Sequence, residues 1–129
     1  MHVGPVIAVT DLARARAFYE DALGLEGEET PGGWALHADE GTVAYLLPDV
    51  PEAASATWPI ASFRVAQLRE KVRSLRANGV PFLNNDDLPF DLDEDSISVT
   101  GLMQVAWIRD PDGSVLTLFQ RTDAQQVAG

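Results

Sequence analysis

The chain contains no cysteine and only two histidines, His2 and His37. The first absence excludes disulfides, thiolate metal sites and a cysteine nucleophile, and it suits a reducing compartment. The second leaves few nitrogen donors for a metal, since histidine is the commonest such ligand. Positive charge is scarce as well: 9 bases stand against 20 acids, for a net charge of −11. A field of that sign repels nucleic acid and anionic membranes and attracts cations. No stretch approaches the ~20 consecutive apolar residues of a membrane span. The opening MHVGPVIAV has neither the basic region nor the length of a signal peptide. The expectation is a cytoplasmic protein with no nucleic-acid or membrane partner.

The 129 residues suit one domain or two small fused modules. GPVIAV reads as a buried strand. TDLARARAFYEDALGL then has a helix start at Thr10 or Asp11, whose side-chain oxygen can take a free backbone N–H. Leu12, Ala15, Tyr19, Ala22 and Leu23 recur at helical spacing, and Gly24 supplies the stop. WALHA and TVAYLL read as strands joined by a short loop. The order then recurs. PIASFRV is a strand, and AQLREKVRSLRANG is a helix with Leu68, Val72 and Leu75 inward. VPFLN, LMQVAWI and SVLTLFQ are further strands, the last two joined by the turn Asp110-Pro111-Asp112-Gly113. Asp at the first turn position accepts backbone N–H bonds and Gly supplies positive φ, so a type I turn closed by a Gly113 bulge is expected. That turn would set Trp107 opposite Thr117 and Arg109 opposite Val115.

The recurrence can be aligned. Val9-Thr10-Asp11-Leu12 matches Val65-Ala66-Gln67-Leu68, and Gly41 to Leu46 matches Gly113 to Leu118. The second copy carries 17 extra residues between its helix stop and its last turn, and they coincide with an acidic stretch. That stretch holds Asp86, Asp87, Asp91, Asp93, Glu94 and Asp95 without a base. Its spacing lacks the glycine of an EF-hand calcium loop. The helix before it has the opposite balance, with Arg69, Lys71, Arg73 and Arg76 against Glu70. The reading is an α+β chain of two βαβββ modules, 1–50 and 60–122. A linker spans 51–59, an acidic insertion 86–102 and a tail 123–129. Two such modules side by side leave a concave groove between their sheets, a usual place for a small ligand.

VTDLARARAFYEDALGL and VAWIRDPDGSVLTLFQ together resemble the first helix and the closing hairpin of the vicinal oxygen chelate superfamily. That superfamily includes glyoxalase I, bleomycin-resistance proteins and extradiol dioxygenases. The resemblance implies a glyoxalase/bleomycin-resistance-type fold, and commonly a homodimer. It also implies a divalent metal at four positions, a histidine on the first strand of each module and a carboxylate or amide on the last. Those positions fall here on Gly4, Ile60, Tyr45 and Thr117. None supplies the nitrogen or carboxylate oxygen lone pairs a catalytic metal needs. The chain is therefore expected to work without a metal or other cofactor.

Residues sharing strand parity with those positions would line the groove. The candidates are Tyr45, Trp58, Ile60, Trp107, Thr117 and Phe119, with Arg109 and His37 near the rim. Aromatic walls stack on flat ligands and hold cations through their π faces. The leading expectation is a metal-free protein that sequesters a cationic or aromatic compound. Two alternatives differ in class. One is a lyase, isomerase or dioxygenase-like enzyme with an atypical site, using Tyr45, His37 or Arg109. The other is a module that binds a partner through the basic helix face or the acidic insertion.

Overall fold

The computed structural model describes residues 5–38, 41–51, 53, 58–86 and 91–121. His2, Gly4, the tail 123–129 and parts of the linker and the acidic insertion lie outside these. The described chain is α+β, with two four-stranded sheets of the same internal order. Two compact units divide it. The first holds Met1–Ala61 with Asp110–Val115, and the second holds Ser62–Arg109 with Leu116–Gly129.

The first unit opens with β1 (Val6–Ala8), then helix α1 (Leu12–Arg16), β2 (Glu26–Thr30), β3 (Gly33–Ala38) and β4 (Gly41–Leu47). The sheet order is β1-β4-β3-β2. β1 runs parallel to β4 with Val6 beside Tyr45, and the rest is antiparallel. A hairpin cannot join parallel strands, so the chain crosses over through α1. Asp11 caps α1, its Oδ1 accepting the Arg14 amide at 3.2 Å. Thr10 instead donates its hydroxyl to Asp112 Oδ1 at 2.6 Å.

Beyond Arg16 the helix widens into a π segment, Ala17–Ala22, in which the Leu23 amide reaches back to the Phe18 carbonyl at 3.0 Å. Phe18 and Tyr19, neighbours in sequence, both end up buried, with their rings edge to face at 4.9 Å. They share the core with Ile7, Val9, Leu36 and Leu46. Each such side chain contributes about 1.5–3 kcal/mol when fully buried. Gly24, at φ 82°, ends the helix as its sequence position predicts.

β2 has the sequence EGEET, a poor strand former that pattern reading passes over. It is the outer strand, and its pairing with β3 holds it. A local network adds to this. Trp34 Nε1 donates to Glu20 Oε2 at 3.0 Å, Arg16 pairs with the same carboxylate at 2.7 Å, and its guanidinium lies 3.9 Å from the Trp34 ring centroid. Gly27 lies under this cluster, where a Cβ would collide with Trp34 Nε1 and the Glu20 carboxylate.

The second unit contains β5 (Ala61–Arg64), helix α2 (Leu68–Ala77), β6 (Ser98–Thr100), β7 (Met103–Arg109) and β8 (Val115–Arg121), in sheet order β5-β8-β7-β6. β5 and β8 each begin one residue inside the first unit. Gln67 does not cap α2; the Gln120 side chain does, accepting the Leu68 amide at 2.9 Å. Leu68, Val72 and Leu75 are buried as their spacing predicts.

VPFLN, expected as a strand, is reduced to one bridge between Phe82 and Ile108. The regular edge pairing comes later, where Ser98 meets Val105. Both segments pair with β7, so the acidic insertion is an excursion from an interrupted edge strand. It folds back on α2. Arg69 pairs with Asp93 at 2.8 Å and also with Asp95, and Arg73 reaches Asp95 at 3.3 Å. Arg76 donates to the Ser96 hydroxyl at 2.6 Å. The Asp95 carboxyl is held below its usual range, first by the Arg69 hydrogen bond. For Asp93, burial opposes the charge, but Arg69 and the Ile97 and Asp95 amides more than offset it. The basic helix face and the acidic insertion, read separately as possible partner surfaces, thus engage each other.

Candidate functional site

In a sheet covered by a helix on one side, the alternate residues form the other face. In the first unit Ile7, Leu36, Ala44 and Leu46 are buried. The opposite parity brings Val6, Tyr45 and Ala35 into one row across β1, β4 and β3, and Ala8 beside Leu47. Tyr45 is half-buried, whereas Val6 and Leu47 are exposed. A bulge between Leu36 and His37 shifts the register at the far end. His37 is half-buried there, its Nε2 3.4 Å from Glu28 Oε1. Trp58 and Ile60 precede β5 and lie outside any strand. Trp58 is 64% exposed, and Ile60 is half-buried, its amide donating to the Val115 carbonyl at 3.0 Å.

In the second unit the parity is equally clear. Leu116, Leu118, Ala106 and Ile108 are buried, and Gln120 reaches the end of α2. Thr117, Phe119, Trp107 and Arg109 have the other parity, and all four are half-buried. The turn has the expected form: Gly113 has φ 94°, its amide donates to the Asp110 carbonyl at 2.9 Å, and the Asp110 amide donates to the Ser114 carbonyl at 2.9 Å. Counting back from that closure puts Trp107 beside Thr117 and Val105 beside Phe119. On the outer side the Val65 amide donates to the Phe119 carbonyl at 2.8 Å. The same bond from Val9 to Leu47 accompanies the pairing of Ala8 with Leu47, so Arg64 is the neighbour of Phe119.

Of the positions to which the resemblance assigns metal ligands, Ile60 carries no side-chain donor, and Tyr45 and Thr117 carry hydroxyls, poor ligands beside carboxylate or imidazole. Gly4 lies outside the described residues and has no side-chain donor in any case. Among the described residues no three His, Cys, Asp or Glu side chains converge on a point that could hold an ion.

The first unit also holds a buried polar arrangement that no local sequence pattern announces. The Tyr19 hydroxyl donates to Asp110 Oδ2 at 2.7 Å, and Asp110 Oδ1 accepts the Asp112 and Ser114 amides at 3.0 and 2.9 Å. Tyr19 is wholly buried and Asp110 is 4% exposed. Burial raises the Asp110 carboxyl above its usual range despite these three donors. Burial, then the Asp110 charge, likewise raises the Tyr19 hydroxyl. Asp112 completes the arrangement, accepting from the Thr10 amide and hydroxyl and from Arg14 at 3.0 Å. The two turn aspartates therefore tie the turn to α1 as well as shaping it. The available signal was a tyrosine at a core helical position, since a buried phenol needs a partner.

Two βαβββ units, each with its helix after the first strand and both with the same sheet order, define the architecture. The chain belongs to the Glyoxalase/Bleomycin resistance protein/Dioxygenase superfamily, whose family model matches residues 2–118. No curated protein sequence matches it. Solved structures agree on the fold. TnmS3, an antibiotic binding protein from Streptomyces sp. CB03234, is similar with a TM-score of 0.71 at 20% identity, covering 94% of this chain and 96% of its own. A superfamily member from Sphaerobacter thermophilus gives 0.71 at 19% identity, with 94% and 98% covered. A glyoxalase/bleomycin resistance protein/dioxygenase from Alicyclobacillus acidocaldarius gives 0.69 at 17% identity, with 97% and 94% covered.

Proposed function

We propose that this protein binds a small aromatic compound without a metal and acts by sequestering it. The observation that carries this reading is the face of β7 and β8 turned away from α2. There Trp107 and Phe119 are half-buried, on the face opposite the buried Leu116, Leu118 and Ile108. Half-buried rings carried on strands stack on a flat ligand, each contact contributing about 0.5–1.5 kcal/mol. The donor chemistry at Ile60, Tyr45 and Thr117 supports metal independence. That TnmS3 is named an antibiotic binding protein supports sequestration rather than turnover. The same reading has the protein act as a homodimer in the cytoplasm, which gel filtration and cell fractionation test.

The direct experiment is thermal denaturation against a panel of flat aromatic compounds, with and without EDTA, on protein made without a histidine tag. A ligand at a hundred times its Kd adds about 2.7 kcal/mol of stability. The expected result is a rise in Tm of several degrees, unchanged by EDTA. A rise that vanishes with the chelator and returns with one metal per chain overturns metal independence. No rise with any aromatic compound overturns the binding reading.

A further inference from the structure

The proposed ligand has a predictable charge, and it is not the one the whole chain suggests. The chain has more than twice as many acids as bases. The four strands of the second sheet nevertheless read ASFR, SVT, MQVAWIR and VLTLFQR. They hold three arginines and no carboxylate. All three arginines, Arg64, Arg109 and Arg121, have the parity of Phe119 and Trp107. Arg64 is exposed and sits on the strand beside Phe119; Arg121 follows Phe119 by two residues on the same face and is also exposed. Adjacent strands are about 4.8 Å apart, so a guanidinium at Arg64 can reach the rim of a ring stacked on Phe119.

From this the geometry points to a planar aromatic anion, of the aromatic carboxylate class, as the ligand of this face. The rings take the ligand's plane, and Arg64 takes its carboxylate. A guanidinium presents parallel N–H donors that match the two oxygens of a carboxylate. An ammonium in the same place would meet the like charge of Arg64. The chain's overall negative field acts at longer range and is screened beyond about 8 Å at physiological salt, whereas Arg64 sits on the strand beside Phe119.

This inference rests on the binding reading above, and one experiment separates their failures. Calorimetry compares 2-naphthoate, 2-naphthamide and 2-naphthylmethylammonium on the wild type and on Arg64→Gln. Arg64 is exposed and replacing it leaves the core untouched, so the variant is expected to fold; its unchanged melting curve is the control. The expected result is naphthoate binding about three- to tenfold more tightly than the amide, and the ammonium most weakly. Arg64→Gln should bring naphthoate to the level of the amide and leave the amide unaffected. Equal binding of all three compounds, tightest binding of the ammonium, or a carboxylate preference that survives Arg64→Gln overturns the charge assignment and leaves aromatic binding standing. Failure of all three compounds to bind overturns both readings.

Discussion

Replacing Tyr19 by Phe tests the buried link between the π segment and the closing turn. The substitution removes one oxygen and keeps the ring, so the edge-to-face contact with Phe18 and the packing around a fully buried side chain survive. It takes from Asp110 Oδ2 the hydroxyl that donates to it at 2.7 Å, in a residue only 4% exposed. A hydrogen bond to a charged group is worth about 1.5–3 kcal/mol, and a buried acceptor that loses its donor falls toward the upper end. For a chain of this size that lowers Tm by roughly 5–15 °C. The loss should also depend on pH. Burial already raises the folded-state carboxyl above its unfolded value, so the folded protein takes up a proton more readily than the unfolded chain. Asp110 therefore costs stability as pH rises through that range, and the Tyr19 bond limits the cost by favouring the charged form. Without it the penalty grows at neutral pH and shrinks once the carboxyl is protonated. Urea denaturation at pH 7 and at pH 4 should give a larger difference between variant and wild type at pH 7. A difference below about 0.5 kcal/mol at both pH values, or one equal at the two, would refute the assignment of a charged, Tyr19-dependent Asp110.

Two further predictions concern stability. Gly27→Ala drives a methyl into Trp34 Nε1 and the Glu20 carboxylate, and it should cost about 1–3 kcal/mol and change the environment of Trp34; near-ultraviolet circular dichroism checks this, and an unchanged spectrum with unchanged Tm counts against the packing described. Arg69→Gln releases Asp93 and Asp95 from α2 and should cost about 1 kcal/mol, discounted for the part-exposed guanidinium, while hydrogen exchange across 93–97 quickens. Because both carboxyls are held below their usual range, that contribution is present at neutral pH and lost as pH falls through their depressed values. Wild type and variant should therefore converge in acid, and a gap that persists there would contradict the ion-pair origin.

Much of the fold was legible because its signals are local or periodic. The cap at Asp11, the stop at Gly24 and the alternation in β7 and β8 depend on neighbours in sequence. The internal repeat supplied the topology, and the two sheets do share one strand order. β2 was illegible because three glutamates in five positions give no strand signal, and pairing with β3 is a contact that sequence pattern does not show. β6 was hidden inside the acidic stretch, and VPFLN looked like the strand that β6 partly replaces. The candidate site was legible as a set of parities. What parity cannot supply is the contact between residues far apart in the chain. Tyr19 and Asp110 lie 91 residues apart, and Gln120 caps a helix 52 residues before it. Nor could charge counting show that the arginines of α2 meet the aspartates of the insertion, because both segments read as solvent-facing.

The interrupted edge strand has a practical consequence for altering this protein. The acidic excursion leaves β7 after the Phe82 bridge and returns before Ser98, with pairing to the same strand on either side. Extra residues placed between those two attachments need not shift the register of any other strand. Lengthening such a surface excursion carries only a slowly growing entropic penalty. The exposed residues Asn84, Asn85 and Asp86 thus offer a natural slot for grafting an epitope, a fluorophore-bearing loop or a second binding peptide, with the Arg69 contacts kept to anchor the return.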